Sequence, residues 1–176
     1  MSILNIEFKA QSNCIEEQEA LLLTLHPLFI GEDHQIDTYY HVPNGRLKLR
    51  SGNIENSLIH YNRNNIAGSK SSHVLLYQHE PNPQLNAILT EALGVKTIVD
   101  KKRKIYFIDN VKFHFDTVNE LGTFVEVEAI DKNGTIGKQK LQDQCNYFAD
   151  FLGIQSKDYI ALSYSDLLLA QNNKTL

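Results

Sequence analysis

Arg46-Leu47-Lys48-Leu49-Arg50 alternates cation and leucine without a break. Successive side chains of a β-strand point to opposite faces, so as a strand this stretch presents three cations on one side and two leucines on the other. At about 6–7 Å per two residues, Arg46, Lys48 and Arg50 fall within about 13 Å of one another. Two further stretches share the design. Asn5-Ile6-Glu7-Phe8-Lys9 sets Asn5, Glu7 and Lys9 on one face, and Glu126-Val127-Glu128 sets two carboxylates together. A solvated edge strand carrying Lys and Arg against aggregation accounts for one such segment. It accounts poorly for the recurrence, because Lys101 and Arg103 lie two apart on a later segment and Tyr61 and Arg63 on another.

Alternation and turn chemistry on either side of this stretch predict about eight strands, mostly antiparallel: 3–10, 35–40, 46–51, 57–63, 71–78, 95–108, 111–118 and 123–130. Asn13 and Glu16 have capping-box spacing, and the helix they open should end at Pro27. Pro83 to Leu93 reads as a helix stopped by Gly94. Leu141, Cys145, Phe148, Ala149 and Leu152 form one helical face that Gly153 ends, and Ser163 to Asp166 is a second capping box opening a short helix through Leu168. The expected class is α+β, with residues 1–176 in one domain.

With 176 residues the chain can bury a substantial core. A net charge of -4 argues against nonspecific nucleic-acid binding, which needs a broad basic surface, so any anion site must be local. Cys14 and Cys145 lie far apart within helical patterns and read as buried thiols rather than as a disulfide framework or zinc site. No apolar leader or membrane-length apolar run is present, so a cytoplasmic location without a membrane partner is the expectation. The oligomeric state, a homodimer included, is left open.

If the charged faces point inward in one closed sheet, the cations converge on a tunnel and the apolar faces remain outside for helices to cover. Buried charges are tolerable only when compensated. Glu7, Asp37, Asp116, Glu126 and Glu128 lie in or beside the same strands, and hard carboxylate oxygens suit Mg²⁺ or Mn²⁺ that also ligates phosphate. No Walker loop, nucleophile elbow or HExxH motif competes. His114 shares a predicted strand face with Asp116 and reads more readily as structural, while Tyr39, Tyr40, Tyr61 and Tyr106 read as packing residues.

In order along the chain, these segments resemble the CYTH superfamily of class IV adenylyl cyclases, thiamine triphosphatases and tripolyphosphatases. Its first-strand Glu-x-Glu-x-Lys signature corresponds to Asn5 through Lys9. Gln35 to Tyr40, Pro43 to Arg50, Leu58 to Arg63, Lys101 to Arg103 and Asp116 through Glu128 continue the likeness. The resemblance implies the triphosphate tunnel fold, an eight-stranded antiparallel β-tunnel with flanking helices. It implies Glu7, Asp116, Glu126 and Glu128 as ligands of Mg²⁺ or Mn²⁺. It also implies Lys9, Arg46, Lys48, Arg50, Arg63, Lys101 and Arg103 as phosphate contacts, with Lys70, Lys112 and Asp37 as weaker carry-overs.

The implied function is a metal-dependent enzyme acting on a nucleotide or other organic triphosphate. It resembles class IV adenylyl cyclases most, which convert ATP to cyclic AMP and pyrophosphate, with hydrolysis of a triphosphate as the alternative. Lys9 is the candidate proton acceptor, on condition that neighbouring cations depress its proton affinity. Asn5 stands where the signature has its first carboxylate, which lowers the site's negative charge by one. A non-catalytic triphosphate or polyphosphate-binding module is therefore the third reading.

Overall fold

The computed structural model describes residues 4–62, 70–71 and 73–172. Among these, nine strands form one antiparallel sheet: β1 (Leu4–Gln11), β2 (Leu28–Tyr40), β3 (Arg46–Ser51), β4 (Ser57–Asn62), β5 (Lys70–Ser71), β6 (His73–Gln78), β7 (Val95–Ile108), β8 (Val111–Val118) and β9 (Gly122–Asp131). The helices are α1 (Ile15–Leu23), α2 (Pro83–Leu93), α3 (Lys138–Phe151) and α4 (Tyr164–Asn172).

The strand order is β5-β1-β9-β8-β7-β2-β3-β4-β6. β5 and β6 stand at its two ends although they are neighbours in the chain, so this segment joins the two edges and curls the sheet back on itself. The expected strand 71–78 is thus divided between two ladders: β6 pairs with β4, and β5 closes against β1 through Ile6↔Ser71 and Glu7↔Lys70. With β5 and β6 taken together, the fold is the expected eight-stranded tunnel.

Apolar positions of the alternating strands face outward over half of the sheet. Ile6 and Phe8 of β1, Phe113 and Phe115 of β8 and Val125 and Val127 of β9 are buried beneath α1 and α3, together with Leu22, Leu141, Cys145 and Phe148. The Phe113 and Phe148 rings meet edge to face at 4.7 Å. This outer core fixes the register, because a slip by one residue would bring the charged set under the helices. A second cluster lies where α4 meets the sheet: Tyr164 and Leu168 pack with Tyr39, Ile59, Tyr61, Val99, Val118 and Phe124.

Four local expectations are corrected. No side chain caps α1, and the Asn13–Glu16 box does not form; Ser12 accepts the Cys14 amide at 3.2 Å and donates to Gln18 at 2.6 Å. Cys14 is exposed, whereas Cys145 is buried as expected. β2 begins at Leu28 rather than Gln35, because Leu28 to His34 pairs with the long β7. The helix opened at Ser163 runs to Asn172, and its capping box is present: the Ser163 hydroxyl accepts from the Asp166 amide while the Asp166 carboxylate accepts from the Ser163 amide.

Candidate functional site

The inward faces enclose a cavity of about 660 Å³. Asn5, Glu7, Lys9, Asp37, Lys48, Arg50, Lys101, Arg103, Lys112, Glu126 and Glu128 line it, which brings together residues from six strands.

Asp37 on β2 is the hub of the cationic wall. The Arg50 guanidinium donates in a fork, Nε to Oδ1 at 2.8 Å and Nη2 to Oδ2 at 3.0 Å, and the ammonium groups of Lys48 and Lys101 donate to Oδ2 at 2.7 and 2.9 Å. The cross-strand pairing of Asp37 with Arg50 sets the first contact. Burial would push the Asp37 carboxyl up, but Arg50, Lys101 and Lys48 together hold it well below the usual carboxylate range. Burial also pushes the Lys101 ammonium well below its usual range, with Arg50, Arg103 and Lys48 adding to the effect and Asp37 opposing it.

Arg103 on β7 makes a second charged cluster with its ladder partner Asp116, through Nε to Oδ1 at 2.7 Å and Nη2 to Oδ2 at 2.6 Å. It also donates to Glu126 at 2.8 Å. The Tyr164 hydroxyl donates to Asp116 Oδ2 at 2.7 Å, so both Asp116 oxygens are engaged. The Lys9 ammonium lies 3.8 Å from Glu126 and 3.9 Å from the Tyr164 ring centroid. A carboxylate and a ring face both attract an ammonium group, which holds Lys9 in the cavity wall within reach of an anion.

Carboxylates gather on β1 and β9. Glu7 faces Glu128 across the ladder and Lys9 faces Glu126, while His114 and Lys112 of β8 face Glu126 and Glu128 from the other side. His114, Glu126 and Glu128 each offer a ligand atom within 4.8 Å of the others. Burial, with Glu126 and Glu7 adding repulsion, pushes the Glu128 carboxyl up to about 7. Burial and the neighbouring Arg103 and Lys112 push His114 down to about 3, leaving its imidazole neutral and able to ligate. The Asn5 amide donates to Glu7 at 3.3 Å, and its buried Oδ1 accepts no hydrogen bond among the described residues. Repelling carboxylates, a neutral imidazole and an open amide oxygen fit a divalent cation.

The sequence reading missed several participants. Glu55 accepts from Arg50 at 2.9 Å and from Lys112 at 2.5 Å, bridging two walls of the tunnel. It reaches them because buried Asp33 accepts the Ile54 and Glu55 amides at 2.9 Å each, folding the β3–β4 loop inward. Asp33 continues the Gln35–Asp37 alternation and was legible once β2 was extended; Glu55 lies in a turn and carried no such signal. Arg46 turns from the hub to Asp166 of α4 at 2.7 Å. Arg63 lies outside the described residues, and Lys70 is placed only by its register opposite Glu7.

This tunnel of inward charges is the architecture of a family. The chain belongs to the CYTH domain family, whose model matches residues 4–164. No curated protein matches the chain in sequence. Among solved structures it is similar to the PH1012 protein of Pyrococcus horikoshii OT3, with a TM-score of 0.75 at 23% identity over 93% of this chain and 98% of that one. A candidate adenylate cyclase from Vibrio parahaemolyticus has a TM-score of 0.77 at 16% identity, covering 94% and 97%. A candidate adenylyl cyclase from Hippeastrum, described as revealing a dominant triphosphatase activity, has a TM-score of 0.61 at 13% identity, covering 98% and 96%. No helix among the described residues is long and apolar enough to cross a membrane.

Proposed function

We propose that the protein is a divalent-metal-dependent enzyme acting on the triphosphate group of a nucleotide or other organic triphosphate, in the manner of a class IV adenylyl cyclase. The observation that carries this reading is the gathering inside one cavity of Lys48, Arg50 and Lys101 around Asp37 on one side and of Glu7, Glu126, Glu128 and His114 on another, with Arg103 reaching the acidic group through Glu126. The cations would bind successive phosphates, Arg50 and Arg103 through the guanidinium N–H groups left over by the forks that bind Asp37 and Asp116. Asp37 and Asp116 hold these forks in place before a ligand arrives, which is the preorganisation that electrostatic catalysis requires.

Mg²⁺ or Mn²⁺, held by Glu126 and Glu128 with Glu7, Asn5 and His114 nearby, would neutralise phosphate charge and lower the proton affinity of a bound hydroxyl or water. Lys9 would grip a phosphate next to that cluster. Asp116, with both oxygens committed to Arg103 and Tyr164, serves better to position Arg103 than to ligate a metal. Glu128, whose carboxyl is pushed up to about 7 by burial and by Glu126 and Glu7, would give up its proton as the cation binds.

The same grip serves two reactions: attack of a ribose hydroxyl on the α-phosphate with loss of pyrophosphate, or attack of water on the terminal phosphate. A second, non-catalytic reading is favoured by Asn5, which withholds one charge from the acidic cluster. Incubation with ATP, thiamine triphosphate or tripolyphosphate and Mg²⁺ or Mn²⁺ separates them. Cyclic AMP with pyrophosphate marks cyclisation, orthophosphate marks hydrolysis, and ligand binding without product leaves the binding module.

A further inference from the structure

The tunnel wall is chemically two-sided. Beside the cations of β3, the β4–β6 ladder turns an uncharged surface to the cavity, with Ile59, Val74 and Leu76 at its centre. Ile59 stands opposite Lys48 on one side and opposite Leu76 on the other, so the apolar surface begins one strand away from the cation cage. Val74 is 41% and Leu76 56% exposed, although both line the cavity. These side chains are held by the sheet and are wet.

An inorganic polyphosphate, hydrated along its whole length, gains nothing by touching such a surface. An apolar or aromatic group attached to a triphosphate gains by removing it from water. The volume agrees, since about 660 Å³ lies within the roughly 300–1,000 Å³ of sites that enclose organic ligands. We propose that the β4–β6 wall is the subsite for the organic moiety of the substrate, an aromatic or otherwise apolar group, and that Leu76 and Val74 select organic triphosphates over inorganic tripolyphosphate. This inference rests on the triphosphate reading of the cationic wall.

The test is calorimetric titration of the full chain, with the same divalent ion throughout, using ATP, thiamine triphosphate and inorganic tripolyphosphate. Wild type is compared with Leu76→Ser and with the conservative Leu76→Met. Leu76→Ser should weaken one or both organic ligands about tenfold, the scale of lost contacts in an apolar pocket, while tripolyphosphate changes less than twofold and Leu76→Met stays near wild type. Whether ATP or thiamine triphosphate responds identifies the group that the wall receives. Equal losses for organic and inorganic ligands, or no loss for either, would overturn the subsite and leave the triphosphate reading standing. If wild type binds none of the three, the triphosphate reading falls and the subsite with it.

Discussion

Asp37 and Lys101 are 64 positions apart in the chain and 2.9 Å apart in the tunnel, each almost wholly buried. Three cations share that one carboxylate. The excess positive charge beside it favours a polyanion, and the carboxylate keeps the cations in place until one binds.

Asp37→Asn should therefore destabilise the free protein by about 3–5 kcal/mol, the usual result of removing one partner from a buried ion pair. Tripolyphosphate should raise the melting temperature of this variant by more than it raises that of wild type, because the anion supplies the missing charge. A smaller shift in the variant, read by differential scanning fluorimetry, would contradict the hub role.

Acid sensitivity follows from the same carboxylates. Asp37, Asp116 and Glu126 are all held below their usual values of 3.8, 3.8 and 4.5, by Arg50, Arg103 and Lys9 respectively as the leading cations. The unfolded chain then takes up protons first as pH falls, so the stability these groups contribute is full above about pH 4.5 and is lost as pH drops through their folded values. Thermal unfolding followed by circular dichroism from pH 7 to pH 2 should show this acid limb. It should be shallower in Asp37→Asn.

Asn5→Glu places a full carboxylate beside Glu7, in the cavity that Glu128 also lines. Affinity for Mn²⁺ should rise about tenfold, since added ligand charge tightens binding to hard cations. Mn²⁺ titration followed by electron paramagnetic resonance measures this directly, without reference to turnover. Unchanged affinity would place Asn5 outside the metal's reach.

Tyr164→Phe removes the hydroxyl that donates to Asp116 and keeps the ring beneath Lys9. A loss of about 0.5–1.5 kcal/mol in urea unfolding is expected for one hydrogen bond, rising toward about 3 because the acceptor is charged. Tyr164→Leu also removes the ring face from Lys9, so it should weaken tripolyphosphate binding further than Tyr164→Phe does.

Alternation was the readable signal, and it located β3, β7 and β8 to the residue. It also sorted the charges of β1 and of β9 onto one face of each strand, and the register between them puts those faces on the same side of the sheet. Period is a local property, so five or more residues suffice to show it. The start of β2 was not readable in this way, because Leu28-Phe29-Ile30-Gly31 has no alternation and is a strand through its pairing with β7. The Asn13–Glu16 box failed for a related reason: its spacing is correct, but Ser12 and Gln18 take the local hydrogen bonds instead.

The order of charged and apolar residues along each strand was enough to sort the two onto opposite faces; that the charged face is the inside was decided by closure of the sheet. Which ions meet was also beyond that order of residues. Glu55 enters the tunnel because Asp33, 22 positions earlier, holds its amide. Tyr164 reaches Asp116 across 48 positions, and His114 joins Glu126 and Glu128 because β8 pairs with β9. Face is set by the two-residue repeat of a single strand. Partnership inside a low-dielectric cavity depends on strand order, register and the path of loops, which are settled only when the sheet closes and the outer core locks it in place.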